Sequence, residues 1–179
     1  MAELTFAAQA PSFKRPALLR HGNIPKPLHE LTPRTIRGTE WWDAERRAAY
    51  AANNYCCWAC GVHKSQAKYY QHLEAHEMYR IDWKKGRSVY KGACALCHSC
   101  HNYIHSGRLK ILVHQKSISQ YKYDDVMRHG QRITGKKNKP PMPREVQQDW
   151  SRWHLVLEGE RYFSKFASLR EWEKHFERR

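Results

Sequence analysis

The chain has 179 residues, with 32 Lys and Arg against 17 Asp and Glu, and a formal charge of +15. This length allows one ordinary domain with extensions and argues against two large cores. The charge favours a polyanionic partner, most simply nucleic acid, with an acidic membrane surface as the competing partner. No apolar run approaches the roughly 20 residues of a membrane span, and no signal-peptide core follows the N-terminus. We therefore expect a cytoplasmic protein whose six cysteines bind metal rather than form disulfides.

The first 38 residues combine basic side chains with prolines, at Pro11, Pro16, Pro25, Pro27 and Pro33. Prolines at this density disfavour helix and sheet, because each fixes φ and removes a backbone donor. We expect residues 1–38 to form a mobile basic arm that lies along a nucleic-acid backbone or serves as a solvated tail or interaction peptide. Order is predicted to begin at Thr39, the N-cap of a helix that ends at Asn53.

Two cysteine pairs with a two-residue gap follow: Cys57 with Cys60, and Cys97 with Cys100. Two such pairs closing on one tetrahedral zinc ion is a strong signal, stronger than either pair alone. The remaining cysteines, Cys56 and Cys94, are expected to be buried small apolar side chains. Cys56 replaces Cys57 as a ligand if the register of the first pair differs.

The segment between the pairs predicts two extended stretches and a helix. Aromatic and apolar positions from Tyr69 suit a strand that ends near His76, residues 84–87 form a turn, and residues 88–96 return toward the second pair. His101 and His105 then lie four residues apart, so on a helix they share one face and can share a metal ion. The helix is predicted to end at Gly107.

Two stretches, Leu73-Glu-Ala-His-Glu77 and Cys100-His-Asn-Tyr-Ile-His-Ser-Gly107, resemble the first and last motifs of the HNH, or ββα-metal, nuclease family. The resemblance covers about residues 55–110. It implies an α+β fold with a small zinc-clamped ββα-metal core. It also implies that His76, His101 and His105 bind one catalytic ion, with a one-residue shift to Asn102 left open.

The general base is the point where the chain departs from this family, which usually has a histidine in the first motif. We assign His76 as an ion ligand and Glu77 as the base. The reverse assignment makes His76 the base and Glu74 the nearest carboxylate ligand. His72 is a third candidate base, two residues before Glu74 on the same strand face. If Glu74 is not a ligand itself, we expect it to orient an imidazole that binds the ion, without contacting the ion.

These residues predict a single-ion endonuclease that hydrolyses phosphodiester bonds, most simply in DNA, with RNA as the alternative. Zinc would be the structural ion, and Mg, Mn, Ni or Zn the catalytic ion. Arg108 either contacts a phosphate or lies in a solvated helix end. Two other classes remain: a zinc-stabilised nucleic-acid-binding module without catalysis, and a structural or interaction protein that uses the zinc fold as a scaffold.

The rest of the chain predicts a strand at residues 109–114 and a short helix from Ser117 or Ser119 through Met127. A basic, proline-rich linker follows at residues 136–144. A C-terminal hairpin spans residues 153–166, and Ser168 with Glu171 makes a capping box for a last helix. The predicted domains are therefore the arm 1–38, a nuclease domain 39–135, and a linker with a hairpin-helix appendage 136–179. The appendage could dock on the core, mediate dimerisation or touch DNA, and the oligomeric state is left open.

Overall fold

The computed structural model describes residues 9–135, 143 and 145–177. Within this part of the chain, the fold is α+β, with five α-helices and a four-stranded sheet. The helices are α1 (Pro33–Ala51), α2 (His98–Ile104), α3 (Ser106–His114), α4 (Gln120–Thr134) and α5 (Leu169–Glu177). The strands are β1 (Leu73–Asp82), β2 (Arg87–Cys97), β3 (His154–Leu157) and β4 (Glu160–Phe163). Among the described residues, no helix has both the length and the apolar character needed to cross a membrane.

Two compact units divide the chain, and each is assembled from separated segments. The first unit takes the described residues of 1–21, 46–76 and 94–140, and the second takes those of 22–45, 77–93 and 141–179. The units therefore interleave along the sequence.

The four strands form a sheet in the order β1-β2-β3-β4. Strand β3 pairs in parallel with β2, with Ser88 opposite Leu155, and pairs antiparallel with β4. Leu155 and Leu157 are buried at alternate positions of β3, as expected for a strand with one face against a core. The predicted C-terminal hairpin is therefore present, and it extends the sheet that β2 belongs to.

The N-terminal segment differs from the predicted unstructured arm. In the first unit, Pro16 opens a 3-10 helix that ends at Arg20, and Leu19 within it is fully buried. The backbone N–H of Phe13 donates to the Asn53 side chain at 3.1 Å. A proline at the first position of a helical turn loses no hydrogen bond, so its presence does not prevent this turn. In the second unit, a 3-10 helix spans Lys26–Leu28 and buries its last residue.

Helix α1 begins at Pro33, earlier than predicted, but Gly38 within it has φ 86° and ψ 176°. This conformation is open to glycine and breaks the helix, so a regular helical run begins near Thr39, as the sequence predicted. The helix ends at Ala51.

Two predictions for residues 109–134 of the first unit differ from the structure. Residues 109–114 were expected to form a strand but lie in α3, where Leu109 is buried. The helix predicted from Ser117 or Ser119 has its N-cap at Ser119, and it continues past Met127 to Thr134. Gly130 lies inside the helix rather than at its end, and it packs against Tyr103 so closely that an added Cβ would lie 2.1 Å from the Tyr103 ring.

The last helix has the expected cap. The Ser168 hydroxyl accepts from the Glu171 backbone N–H at 3.3 Å, and the Glu171 carboxylate accepts from the Ala167 N–H at 2.8 Å. Within the second unit, Trp172 of α5 donates its indole N–H to His29 at 3.2 Å. Burial lowers the pKa of His29. The predicted linker at residues 136–144 lies outside the described residues, except for Pro143.

Candidate metal centres

Four thiols in the first unit form a compact group: Cys57, Cys60, Cys97 and Cys100, whose sulfurs all lie within 4.8 Å of one another. We name this group the four-cysteine site. Cys57 and Cys60 occupy a tight turn in which the Gly61 N–H donates to the Cys57 carbonyl at 2.8 Å. Cys97 ends β2 and is the N-cap of α2, so Cys100 follows in the first helical turn. The Trp58 N–H donates to the Ala95 carbonyl at 2.8 Å, which ties the turn to β2.

The chemistry of this group fits zinc. Four thiolates in a buried cluster are the donor set of a closed tetrahedral structural site. Hydrogen bonds donated by the thiols of Cys100, Cys57 and Cys97 lower the pKa of the Cys60 thiol, whereas the pKa values of Cys97 and Cys100 are raised, so Cys60 rather than these two has thiolate character. Thiolate character is what a metal ligand requires, since the deprotonated sulfur is the donor. The four-cysteine site can therefore hold a structural metal ion such as zinc.

The two remaining cysteines lie outside this group. Cys56 and Cys94 are buried, as expected for small apolar side chains. The Cys56 thiol donates to the Gln9 carbonyl at 3.3 Å, and burial raises its pKa, which opposes a ligand role. The register that uses Cys57 rather than Cys56 is the one the structure adopts.

His129 of α4 adjoins the four-cysteine site and was missed by sequence reasoning. Its Nε2 lies 3.3 Å from the Cys100 sulfur, and an Arg132 guanidinium nitrogen lies 3.5 Å from its Nδ1. The ring therefore turns Nε2 toward the Cys100 sulfur and Nδ1 toward Arg132. Because 29 residues separate His129 from Cys100, no local spacing could have indicated this contact.

A second group in the first unit consists of three imidazoles: His76, His101 and His105, whose ligand atoms all lie within 4.8 Å of one another. We name it the three-histidine site. His105 Nε2 lies 3.3 Å from His76 Nδ1. The ring centroids of His76 and His101 are 5.5 Å apart, and those of His101 and His105 are 4.8 Å apart. His76 is buried, whereas the other two rings are partly exposed.

The local fold explains how three residues from two elements meet. His76 lies within β1, which continues to Asp82 instead of ending near His76 as predicted. His101 lies in α2, and His105 is the C-cap of that helix, with φ −92° and ψ 32°. The four-residue step places both helical histidines on one face, as predicted. The helix breaks at His105, and Gly107 lies inside the following helix, α3, rather than ending α2.

Glu74 of β1 supports the three-histidine site from behind. Its carboxylate accepts from His98 Nδ1 at 2.7 Å and from His101 Nδ1 through its second oxygen. Burial raises the pKa of Glu74, but the hydrogen bonds from His101 and His98 outweigh burial and hold the pKa well below its usual range. An ionised Glu74 fixes the proton of His101 on Nδ1, which leaves Nε2 as the lone-pair nitrogen available to an ion. Sequence reasoning gave Glu74 this role as one alternative, and it missed His98.

Glu77 and His72, the two candidate bases, are not members of the three-histidine site. Glu77 directly follows His76 in β1, and successive strand side chains point to opposite faces. The Glu77 carboxylate instead raises the pKa of Tyr79, second to burial as a cause. His72 is exposed and precedes the first residue of β1. The assignment of Glu77 as the base stays a prediction.

Three further residues complete the description of the three-histidine site and its surroundings. Asn102 donates its side-chain amide to the His98 carbonyl at 2.9 Å, and the three-histidine site contains His101 in its place. Arg108 is exposed in α3, three residues past His105. His21, in the segment predicted to be a mobile arm, has its ring centroid 5.3 Å from that of His76. Nothing in its local sequence indicated this neighbour.

Comparison with known proteins found no family, curated protein or solved structure that matches the chain.

Proposed function

We propose that this protein is a metal-dependent endonuclease of the HNH type, which hydrolyses phosphodiester bonds in DNA at the three-histidine site. One observation carries the proposal: one histidine of a strand and two of a following helical segment offer ligand atoms within 4.8 Å of one another. Three imidazole ligands leave coordination positions open, as catalytic metal sites do and closed structural sites do not.

The arrangement of the two metal centres supports this proposal. Cys100 and His101 are adjacent in α2, so the four-cysteine site lies at the start of the helix that carries the three-histidine site. A zinc ion bound to the cysteines would hold the N-terminus of α2 against the end of β2. Because ion ligands must be placed within tenths of an ångström, such a clamp would preorganise His101.

The residues of the three-histidine site fit a divalent ion. Imidazole donors suit zinc, nickel or manganese better than calcium, and magnesium stays among the candidates. A divalent ion bound there would polarise a phosphate oxygen and lower the pKa of water. The chain itself contributes Glu74, which orients His101, and His76, whose burial excludes solvent from one side of the site. Arg108 is the candidate contact to a phosphate of the substrate.

Glu77 and His72 are the two candidates for the general base in this proposal. Glu77 would have to leave its strand face, and His72 lies outside the three-histidine group. A base variant should retain the ion but cleave at least ~10²-fold more slowly. Measuring ion binding and cleavage for Glu77→Gln and for His72→Ala separates a base from a ligand. If both variants cleave at the wild-type rate, neither residue is the base, and His76 is the next candidate.

The formal charge of +15 supports a nucleic-acid partner. The test is incubation of the zinc-loaded chain with supercoiled plasmid, and separately with a structured RNA, across Mg, Mn, Ni and Zn. Conversion of plasmid to nicked and linear forms with at least one ion is the expected result. Cleavage of RNA alone would assign the substrate to RNA.

A non-catalytic, zinc-stabilised nucleic-acid-binding module is the second candidate. The specific observation that favours it is that the four-cysteine site is complete without any of the three histidines. Salt-sensitive nucleic-acid binding without cleavage by any ion would support this second candidate and remove the nuclease.

A further inference from the structure

An aromatic cluster lies beside the three-histidine site in the first unit, where β1 begins. Tyr70 stacks on His72, with ring centroids 5.3 Å apart and planes at 24°. The Tyr70 ring also meets His98 edge-on at 4.6 Å, and Tyr69 meets His98 edge-on at 5.6 Å. Tyr70 is 46% exposed even though it is a large aromatic residue. We name these four residues the aromatic platform.

A lysine side chain lies over the aromatic platform. The Lys122 ammonium lies 4.8 Å from the Tyr69 ring centroid and 5.4 Å from that of Tyr70. Lys68 and Arg128 lie 2.8 Å and 3.9 Å from the Asp125 carboxylate. Lys68 and Arg128 are thus paired with Asp125, and Lys122 is the cation that lies over the rings. A flat apolar ring with a cation over it suits a ligand that joins an aromatic base to a phosphate.

One part of the aromatic platform is fixed in place. The Tyr69 hydroxyl donates to Asp125 at 2.7 Å. Burial, followed by this contact with Asp125, raises the pKa of Tyr69 to about 12, so the ring stays neutral. Tyr69 thus anchors the edge of the cluster, whereas the more exposed Tyr70 offers its ring to solvent.

The aromatic platform is also connected to the proposed cleavage site. His98 Nδ1 donates to one oxygen of Glu74, and His101 Nδ1 donates to the other. A base held on Tyr70 would therefore rest on a ring that contacts His98, which shares the Glu74 carboxylate with an ion ligand. Tyr70 is therefore linked to the three-histidine site through His98 and Glu74.

We propose that Tyr70, backed by His72 and His98, stacks on an unpaired nucleobase of the substrate, so that the bound strand is single-stranded next to the cleaved phosphate. This inference rests on the proposed function, because a position next to the cleaved phosphate exists only if the chain cleaves a nucleic acid. Duplex DNA keeps its bases stacked inside the helix, so it cannot offer a free base face to Tyr70 without opening. Single strands do offer one, and the aromatic stacking that results tolerates every base.

The test uses the zinc-loaded full-length chain carrying His105→Ala, which suppresses cleavage, without added divalent ion. The probes are a single-stranded oligonucleotide of about 12 residues containing the fluorescent adenine analogue 2-aminopurine, and the blunt duplex of the same sequence. Tyr70→Ala should weaken single-strand binding about tenfold and abolish the stacking-induced quenching of 2-aminopurine. Tyr70→Phe keeps the ring and should bind like the parent chain. Duplex affinity should change less than about twofold in both variants.

Tyr55→Ala is the matched control, because Tyr55 is 44% exposed in the same unit and has the Lys64 ammonium 4.3 Å from its ring centroid. It should leave single-strand affinity unchanged. Single-strand affinity of Tyr70→Ala within about twofold of the parent would overturn the inference, as would an equal loss on the duplex.

Failure of this inference and failure of the proposed function are distinguishable. If the wild-type chain cleaves DNA but Tyr70→Ala binds single strands normally, only the stacking site is wrong. If no ion supports cleavage but single-strand binding depends on Tyr70, the stacking site stands and the nuclease proposal fails.

Discussion

Replacing Glu74 with glutamine should weaken ion binding at the three-histidine site. The carboxylate accepts one hydrogen bond from His98 and one from His101. A glutamine keeps one accepting oxygen and turns an NH₂ group toward the other imidazole N–H, so one of the two contacts becomes donor against donor. When the NH₂ group faces His101, the proton of that ring is no longer held on Nδ1, and the ring loses its fixed orientation.

The size of this effect follows from the contact that is lost. A hydrogen bond to a charged group contributes about 1.5–3 kcal/mol. The Glu74 side chain is 25% exposed, so water replaces part of the lost contact and the lower value applies. We expect Kd for the ion to rise about tenfold, the low end of the range for residues that support a metal ligand.

The assay is isothermal titration of Ni²⁺ or Zn²⁺ into chain whose cysteines are already loaded with zinc. Glu77→Gln is the matched control, because it neutralises the neighbouring carboxylate of β1 on the opposite strand face and should leave Kd unchanged. A Kd for Glu74→Gln within about twofold of wild type would refute the role assigned to Glu74.

Three further outcomes are expected. Cys97→Ser should remove zinc from the four-cysteine site and unfold the first unit, since the binding of structural zinc supplies on the order of 10 kcal/mol of folding free energy. Elemental analysis that finds zinc retained in this variant would contradict the prediction. Gly130→Ala should destabilise the chain by about 1–3 kcal/mol in urea unfolding because its Cβ would strike Tyr103, whereas Gly107→Ala, with nothing within 4 Å, should stabilise α3 by up to about 1 kcal/mol. Burial lowers the pKa of His29 below its ordinary 6.5, so near pH 6 the folded state binds fewer protons than the unfolded state. The contribution of His29 to the free energy of unfolding is therefore unchanged above pH 6.5 and becomes destabilising as the pH falls below 6.5. In thermal unfolding, the fall in Tm from pH 7 to pH 5 should be smaller for His29→Gln than for wild type. An equal fall in Tm would show that other groups cause it.

The residues that bear the candidate metal centres were largely predictable. Cysteine pairs with a two-residue gap and histidines four apart on a helix act through local geometry, so the sequence alone places their side chains together. The contribution of β1 was less predictable, because no local spacing relates His76 to a helix more than 20 residues later. The resemblance to a family supplied that step, and the structure brings the three rings together.

The errors have a common physical origin in tertiary contacts. Residues 109–114 have strong strand formers, but their helix is stabilised by the burial of Leu109. Gly130 suggested a helix end, although it gives room to Tyr103 inside α4. The prolines near the N-terminus suggested disorder, yet Leu19 is fully buried. His98, His129 and His21 found their partners through the fold, and no local pattern could have indicated them.

Ion-dependent cleavage at the three-histidine site is tested most directly by the rate of plasmid nicking as a function of divalent ion concentration. The comparison is between wild type, His105→Ala, and His114→Ala as the control, because His114 is an exposed histidine at the end of α3, outside the three-histidine site. We expect wild type and His114→Ala to give the same saturable curve. His105→Ala should require at least about tenfold more ion and nick far more slowly. A wild-type curve from His105→Ala, or no nicking by wild type at any ion concentration, would contradict the proposal.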